Sequence, residues 1–259
     1  MKSLVILIAA SILCMSATIA RADDICADRP AKALSPCTVS PGNFQLETDG
    51  INITSQRMSA TSTTTVLAPN PTLKYGLSPN SDIEFNIGNE IMGTRTTGVT
   101  SSVTGISDLY VRMKFEVLNQ TKLQIAISPW IKIPTADRSI GNGAFESGIT
   151  LPVEYVINDK WTVTYVQDID SLKNSGISGY HTNTAETVSV GRALPHNLSL
   201  ALELWSEYND DPLQREQQYS MDTALSWVKN NLEYDVGVNF GLNKETPQSQ
   251  VYMGFSDRF

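Results

Sequence analysis

The 259-residue chain is acidic, with a formal net charge of -8 and a sequence pI of about 4.8. This charge argues against nucleic-acid binding, which requires a basic face. The mean hydropathy of -0.14 suits a soluble protein, but it also suits a membrane barrel, because half of each barrel strand faces a polar lumen. Composition therefore leaves both classes open.

The first 22 residues have the pattern of a secretory signal peptide. Lys2 supplies the positive start, an apolar stretch runs from Leu4 to Met15, and Ala20-Arg21-Ala22 is a small-x-small cleavage motif. The apolar stretch is too short for a transmembrane helix. We predict that residues 1–22 are cleaved, which removes Cys14 and leaves an exported chain.

Residues 23–42 are predicted to form a short periplasmic segment that holds the two remaining cysteines, Cys26 and Cys37. An even cysteine pair in an exported chain favours a disulfide. Closing a loop of this size would restrict the unfolded chain by roughly 2–3 kcal/mol. A metal pair is the alternative, but the sequence places no His or third Cys nearby.

From residue 43 onward the sequence contains short runs in which apolar and polar residues alternate. In LEYDVGVNFGL, for example, Leu232, Val236 and Phe240 lie on one face, and Glu233 and Asp235 on the other. About twelve such runs are predicted, near 43–54, 63–77, 82–92, 105–118, 122–134, 148–157, 161–168, 182–194, 198–206, 218–228, 232–242 and 249–259. Many approach the ten residues that a tilted membrane strand needs. Residues 43–259 are therefore predicted to form an all-β protein, a single antiparallel transmembrane β-barrel of about 12 strands.

The predicted connections between these runs alternate in length. Short turns are expected at 78–82, 119–122, 158–160, 195–197 and 229–231, and long loops near 93–104, 134–148, 169–181 and 207–217, whereas 55–62 and 243–248 are intermediate. Such alternation is typical of barrels with tight periplasmic turns and longer extracellular loops. An even number of strands places both termini on the periplasmic side.

Aromatic residues lie beside the predicted short turns: Tyr75, Phe115, Tyr155, Trp161, Trp227 and Tyr234. Amphipathic rings at this height suit the interface between membrane and water. A soluble β-sandwich would concentrate its aromatic residues in the middle of the strands, as core anchors. The pattern therefore favours a barrel in the outer membrane of a Gram-negative-type cell, in contact with outer-membrane lipids.

The final stretch, VYMGFSDRF, alternates and ends on an aromatic residue. Phe255 and Phe259 share a face with Val251 and Met253. This ending is similar to the C-terminal signal that barrel assembly machinery reads, although Asp257 stands at the third position from the end, where the signal usually has an apolar or aromatic residue. We predict that Phe255 and Phe259 form the assembly signal.

The segment DICADRPAKALSPCTVSPGNFQLETDG resembles the N-terminal signature of a family of outer-membrane transporters named for the MetA pathway of phenol degradation. The matching positions are Cys26, Arg29, Pro30, Pro36, Cys37, Thr38, Val39, Pro41, Gly42, Gln45 and Glu47. Later stretches at 73–85, 105–115, 128–135 and 151–163 are also similar to that family. The resemblance implies a barrel of the twelve-stranded type with a role in uptake, and it says little about the substrate.

Alternation places many charged residues on the inner face of the predicted barrel. The predicted lumen-lining residues are Lys74, Glu84, Arg112, Lys114, Glu116 and Lys132 on early strands, and Glu154, Asp168, Glu203, Asp222, Glu233 and Asp235 on later ones. One hypothesis is that a mainly basic wall faces an acidic wall across a narrow wet lumen and that small solutes pass between them. The alternative is that these charges pair and fill the interior. A barrel of this size encloses less space than a porin of 16–18 strands.

The sequence contains few candidates for catalysis. Its two histidines, His181 and His196, lie near a long loop and in a short turn, and neither has a Ser two residues later, as an outer-membrane phospholipase would require. No cluster of His, Cys and carboxylate residues has metal-ligand spacing, and no cofactor is expected. The predicted function is an outer-membrane channel that takes up small compounds, among them aromatic or hydrophobic ones. The alternatives are a non-conducting structural or receptor barrel and, less favoured, an outer-membrane hydrolase.

Overall fold

The computed structural model describes residues 25–58, 60–96 and 98–259, so the predicted signal peptide lies outside the described residues. Almost all of the regular structure is antiparallel β-strand. The strands are β1 (Phe44–Met58), β2 (Thr61–Leu67), β3 (Asn70–Ser78), β4 (Ser81–Asn86), β5 (Asn89–Thr96), β6 (Val99–Ile106), β7 (Leu109–Asn119), β8 (Leu123–Ile133), β9 (Glu146–Asn158), β10 (Trp161–Lys173), β11 (Tyr180–Leu194), β12 (Leu198–Asn209), β13 (Glu216–Lys229), β14 (Leu232–Gly241) and β15 (Ser249–Arg258).

The strands form a closed barrel with twelve positions around its wall, here called staves, each filled by one strand or by two strands in succession. This confirms the predicted fold. β1 pairs with β15, from Gln45 opposite Arg258 to Ser55 opposite Ser249. Three staves consist of two strands each, namely β2 with β3, β4 with β5 and β6 with β7. Full closure leaves few unpaired backbone groups at strand edges.

Period-2 alternation in the sequence becomes an inside-out distribution of side chains. On β12, Leu202 and Leu204 are 54% and 59% exposed, whereas Glu203 between them is 3% exposed. A soluble β-protein would bury the leucines and expose the glutamate. The apolar side chains therefore form the outer face, as expected for a barrel surrounded by lipid.

Aromatic rings pack together at the end of the barrel that carries the tight turns. The Phe44 and Tyr75 rings lie 4.7 Å apart, and the Trp227 and Tyr234 rings stack at 6.0 Å. These residues flank the short connections, where the sequence predicts an interfacial girdle.

The three composite staves are interrupted at neighbouring positions of the wall. The break between β2 and β3 falls at Ala68-Pro69, where proline cannot donate to the ladder. The break between β4 and β5 falls at Ile87-Gly88, and the Asn70 side chain occupies the space that a Cβ at Gly88 would need. The wall therefore bends here, and the predicted continuous runs at 63–77, 82–92 and 105–118 are each divided or shifted.

The prediction of a long loop near 93–104 is wrong, because β5 and β6 occupy most of these residues. These strands, with β2 and the end of β1, form a sheet that projects from the loop end of the barrel. The sequence of this sheet is rich in Thr and Ser, and β-branched Thr favours strands. Alternation of apolar and polar residues is weak there, because both faces of β6 are exposed. Similarly, β10 and β11 extend into the predicted loop 169–181.

Helical structure among the described residues is limited to a 3-10 turn, Pro195–Asn197. No helix in this part of the chain is long and apolar enough to cross a membrane.

Candidate functional site

Residues 25–41, here called the inner segment, lie inside the barrel against inward-facing side chains. The Cys26 amide donates to Gln45 Oε1 at 3.2 Å, and Gln45 Nε2 donates back to the Cys26 carbonyl at 2.7 Å. Farther along, the Val39 amide donates to Asp82 Oδ2 at 2.8 Å. Because Val39 is 1% exposed, the segment is packed into the lumen.

Two features fix the inner segment locally. The predicted disulfide between Cys26 and Cys37 is present and closes a loop across a sequence separation of 11. At the end of the segment, Pro41 forms a bridge with Gly76 of β3, and the Gly42 amide donates to the Gly76 carbonyl at 2.9 Å. A Cβ at Gly76 would overlap the backbone of the segment, so only glycine allows this approach.

The first electrostatic contact of the inner segment is made by Asp28. Lys74 Nζ and Lys114 Nζ each donate to one of its carboxylate oxygens at 2.5 Å, and both lysines are 0% exposed. Glu47 lies 2.5 Å from Lys74, and Glu84 lies 3.5 Å from Lys114. Buried charges are stable only when paired in this way. Asp28 therefore serves as a shared counter-ion for two buried ammonium groups.

The second contact is made by Arg29, which bridges β1 and β14, the two strands that flank β15. Its Nε and Nη2 donate to the two carboxylate oxygens of Asp235 at 2.9 and 2.7 Å, and its Nη1 donates to Asp49 at 2.5 Å. The guanidinium also lies 5.9 Å from the centre of the Tyr252 ring. A bidentate arrangement of this kind fixes orientation as well as charge.

The third contact is made by Lys32. Its ammonium lies 3.0 Å from Asp222, donates to Ser220 Oγ at 2.6 Å and stands 4.1 Å from the centre of the Trp205 ring. Its backbone amide donates to Glu203 Oε2 at 2.8 Å. The ammonium is thus held by a carboxylate, a hydroxyl and an aromatic face together.

The twelve predicted lumen-lining residues all lie on the inner face of the barrel, although their role as a solute path stays a prediction. The structure groups Lys74, Glu84, Arg112 and Lys114 around Asp28. Asp235 lies against Arg29, and Glu203 against the backbone of Lys32; Glu233 is buried beside Asp235 on β14. Glu116 and Glu154 lie apart from these groups, Glu116 next to the tight turn after Ser78 and Glu154 beside Thr164. The inner segment therefore places an acid, Asp28, among the wall lysines and two cations, Arg29 and Lys32, among the wall carboxylates.

Lys132 belongs to a different group, near the loop end of the barrel. Its ammonium lies 3.0 Å from Asp108 and 2.7 Å from Glu146, and it donates to Asn142 Oδ1 at 2.7 Å. The connection after β8 is held against the wall by these contacts. Lys132 thus has local partners rather than facing an open acidic wall.

Two other loops are tied together by Asp211. Backbone amides of Ser175 and Leu213 donate to its carboxylate at 2.7 and 2.8 Å. These bonds favour the ionised form and hold the pKa of Asp211 at about 2. Beside them, His181 Nδ1 lies 3.0 Å from Asn174 Oδ1. Within the described residues, no group of three or more His, Cys, Asp or Glu side chains could hold a metal ion.

The part played by Asp28, Arg29 and Lys32 is not visible in the sequence pattern. Residues 23–42 are predicted as a periplasmic segment, whereas the structure packs residues 25–41 into the lumen against inward-facing side chains. A usable indication was present, since a short segment with charges of both signs precedes a barrel whose predicted inner face carries clustered lysines and carboxylates. Which charges of the segment pair with which charges of the wall depends on the path of the segment through the lumen. Strand alternation does not encode that path.

The last residue pairs with the beginning of β1. Amide and carbonyl groups of Phe259 and Phe44 exchange hydrogen bonds at 2.8 and 2.9 Å, and their rings lie 6.1 Å apart. Phe259 is 64% exposed on the outer face, and Phe255 lies on the same alternating face. This position is compatible with a role as an assembly signal, which stays a prediction.

Several solved structures share the fold at low sequence identity. The COG4313 outer membrane channel from Pseudomonas putida F1 aligns with a TM-score of 0.70 and 11% identity, over 89% of this chain and 99% of that one. The KdgM porin in complex with disordered oligogalacturonate gives 0.51 and 9%, over 84% and 99%. The translocator domain of the autotransporter NalP from Neisseria meningitidis gives 0.52 and 9%, over 85% and 90%. Because these proteins have different roles, the likeness shows the fold alone.

No curated protein matches the sequence. A family model does match, over residues 27–259, and its description is "Putative MetA-pathway of phenol degradation". The match covers the inner segment from its third residue, Ala27, and all twelve staves. The chain therefore belongs to the family that carries this description.

Proposed function

We propose that the chain is an outer-membrane channel that takes up small compounds and that the inner segment narrows its lumen. One observation carries this proposal: the inner segment is held in the lumen mainly by side-chain ion pairs and by the bridge at Gly76, not as a strand of the wall. Such contacts can be exchanged without opening the barrel. A barrel with a removable filling suits a passage better than a purely structural role does.

For the compounds taken up, we propose small aromatic or hydrophobic molecules as the first class to test. The family description refers to phenol degradation, which supports this choice. Aromatic side chains also line the inner face toward the loop end, where the Tyr110 and Trp130 rings lie 5.7 Å apart. The path would be narrow and would pass the charged residues grouped around the inner segment.

The proposed location is the outer membrane, with lipids around the barrel and the assembly machinery as a partner during insertion. The exposed apolar side chains of the outer face and the C-terminal Phe259 support both parts of this proposal. We expect no catalytic activity.

The main alternative is a receptor or structural barrel that conducts nothing. The neutralised, tightly packed inner segment favours it, because a permanently filled lumen would block flux. The test is solute flux into liposomes that contain refolded protein, with phenol, a short-chain acid and a sugar as solutes. Arg29→Ala/Lys32→Ala is the matched variant, because it releases the inner segment from the acidic wall. We expect phenol flux in the wild type and an increase in the variant. A folded barrel without flux in either form would favour the receptor reading.

A further inference from the structure

Beyond the inner segment, toward the loop end, three carboxylates on the inner face form no contact ion pair. Asp168 and Asp170 lie on β10, and Glu207 lies on β12. Among the residues that the structure describes, none of the three lies within 4.0 Å of a Lys or Arg nitrogen. The carboxylates around the inner segment, by contrast, pair with cations: Glu47 and Glu84 with the lysines that bind Asp28, and others with Arg29 or Lys32. Arg112 and Lys32 act on Asp168 and Glu207 only from a distance, because they make their ion pairs with Glu84 and Asp222, so no cation contacts the three carboxylates.

The register of β10, β11 and β12 brings these carboxylates together. Asp170 stands opposite Asn183, while Asp168 and Glu207 both stand opposite Ala185. Asn183 Nδ2 donates to Asp170 Oδ2 at 3.2 Å. The three acids therefore surround one short stretch of β11.

Asn183 supplies an independent indication that a donor is missing. Its side chain is almost fully buried, at 3% exposure, and its Oδ1 has no hydrogen-bond partner in the described structure. An unpaired buried carbonyl oxygen is costly. The free oxygen and the neighbouring carboxylates all accept hydrogen bonds, so a group that satisfies them must donate, and the negative charge of the carboxylates favours a donor that is positively charged.

An aromatic ring borders the same place. Gly148 has no side chain, and the space that its Cβ would need is taken by the carboxylate of Asp170 and the indole of Trp130. The Tyr110 ring lies 5.7 Å from that of Trp130. Trp130 turns its indole N–H edge toward Asp170, so the ring borders the carboxylates and offers apolar surface beside them.

The lumen already holds one ammonium group with the same chemistry. Lys32 is bound by Asp222 and by the Trp205 ring, as described above. Trp205 lies between Glu203 and Glu207 on the inner face of β12. The Lys32 ammonium stands at the level of Trp205 and Ser220, where its ion pair is made with Asp222 and not with Glu207.

We propose that Asp168, Asp170, Asn183 and Glu207 form a subsite that binds the ammonium group of a small organic cation, with Trp130 beside its apolar part. This proposal deepens the proposed channel function by naming a class of solute, cationic amphiphilic amines, and its role in uptake rests on that function. Binding itself requires only the folded barrel. Charge-assisted hydrogen bonds to the carboxylates would provide the selectivity for amines over neutral aromatic compounds.

The experiment is calorimetric titration of the refolded barrel in a non-ionic detergent with phenethylammonium chloride. The neutral comparison is 2-phenylethanol, which has the same ring and chain length. We expect saturable binding of the ammonium compound and at least tenfold weaker binding of the alcohol. Equal binding of the two compounds would overturn the proposal, and so would binding of calcium chloride without binding of the ammonium compound.

Variants assign the binding to these residues. Asp170→Asn/Glu207→Gln removes two charges and should weaken ammonium binding at least tenfold. Glu186→Gln, on the outer face of the neighbouring β11, is the matched control and should leave binding unchanged. If the double variant does not fold, as judged by its mobility on gels with and without heating, the single variant Glu207→Gln replaces it. Unchanged affinity in a folded variant would refute the assignment.

Liposome flux of the same ammonium compound separates this proposal from the proposed function. Binding without flux would retain the subsite and reject the channel. Flux of the ammonium compound without measurable binding would retain the channel and reject the subsite.

Discussion

Asp28 of the inner segment accepts a hydrogen bond from Lys114 of β7 at 2.5 Å, across 86 residues of sequence. Lys114 is completely buried, and its other carboxylate neighbour, Glu84, is farther away at 3.5 Å. The pair therefore joins the inner segment, which lies in the lumen, to the barrel wall. Since removal of one partner from a buried pair typically costs about 3–5 kcal/mol, this contact is well placed to control the position of the segment.

Asp28→Asn should loosen the inner segment, because Lys74 and Lys114 lose their shared counter-ion. We expect single barrels in planar bilayers to show a several-fold higher ion conductance or to open more often. Asp159→Asn, in an exposed tight turn, removes the same charge without touching the lumen and should conduct like the wild type. Identical conductance of Asp28→Asn and the wild type would show that this contact does not hold the segment.

The disulfide between Cys26 and Cys37 should stabilise the inner segment without stabilising the barrel. A loop of this size restricts the unfolded segment by about 3 kcal/mol. Cys26→Ser/Cys37→Ser should therefore become sensitive to protease within residues 25–41 while the barrel keeps its mobility on unheated gels. Mass spectrometry of the fragments locates the cuts. Equal protection of the segment in both proteins would contradict this expectation.

Gly76→Ala should displace the end of the inner segment. The new Cβ would overlap backbone atoms of Val39 and Ser40, which cannot move without breaking the bridge from Pro41. We expect a loss of about 1–3 kcal/mol in the free energy of unfolding, measured by urea titration in detergent. Gly50→Ala is the control, because its Cβ would meet only an ordinary contact at 3.7 Å, and it should change stability much less.

Alternation of residue character was sufficient to predict the barrel. The contrast between exposed Leu202 and buried Glu203 is visible directly in the sequence, because lipid and lumen impose opposite preferences on successive residues. The same rule placed Lys74, Lys114 and Asp235 on the inner face. Twelve staves follow from counting such runs, and the disulfide from the export pattern with two cysteines.

Alternation fails where both faces of a strand meet the same surroundings. β6 is exposed on both faces at most positions, so Val99–Ile106 carries no period-2 pattern. The sequence pattern therefore predicts a loop over most of this strand. The lumen contacts of Arg29 were also beyond reach, because they join residues 206 positions apart and depend on where the inner segment lies. Asp170 and Glu207 escaped notice because they fall beyond the predicted ends of their strands.

Acid should release the loops that Asp211 ties together. Because its folded pKa of about 2 lies below the ordinary value of 3.8, its hydrogen bonds stabilise the loops above about pH 4 and are lost as the pH falls through 2. Pepsin should therefore spare residues 174–179 and 210–215 at pH 4 and cut them at pH 2, after correction with an unstructured substrate. Asp211→Asn should be cut at both values. Equal resistance of the variant and the wild type at pH 4 would contradict the assignment.

The outer face should tolerate charge only where it leaves the lipid. Leu202, on the outer face of β12, and Leu213, in the loop after it, are similarly exposed, at 54% and 63%. Leu202→Arg would place a charge in the hydrocarbon layer and should cost about 2–4 kcal/mol of unfolding free energy in phospholipid vesicles. Leu213→Arg meets water and should be nearly neutral. Equal effects of the two substitutions would show that the apolar band around Leu202 does not lie in a membrane, and the proposed location would fall with it.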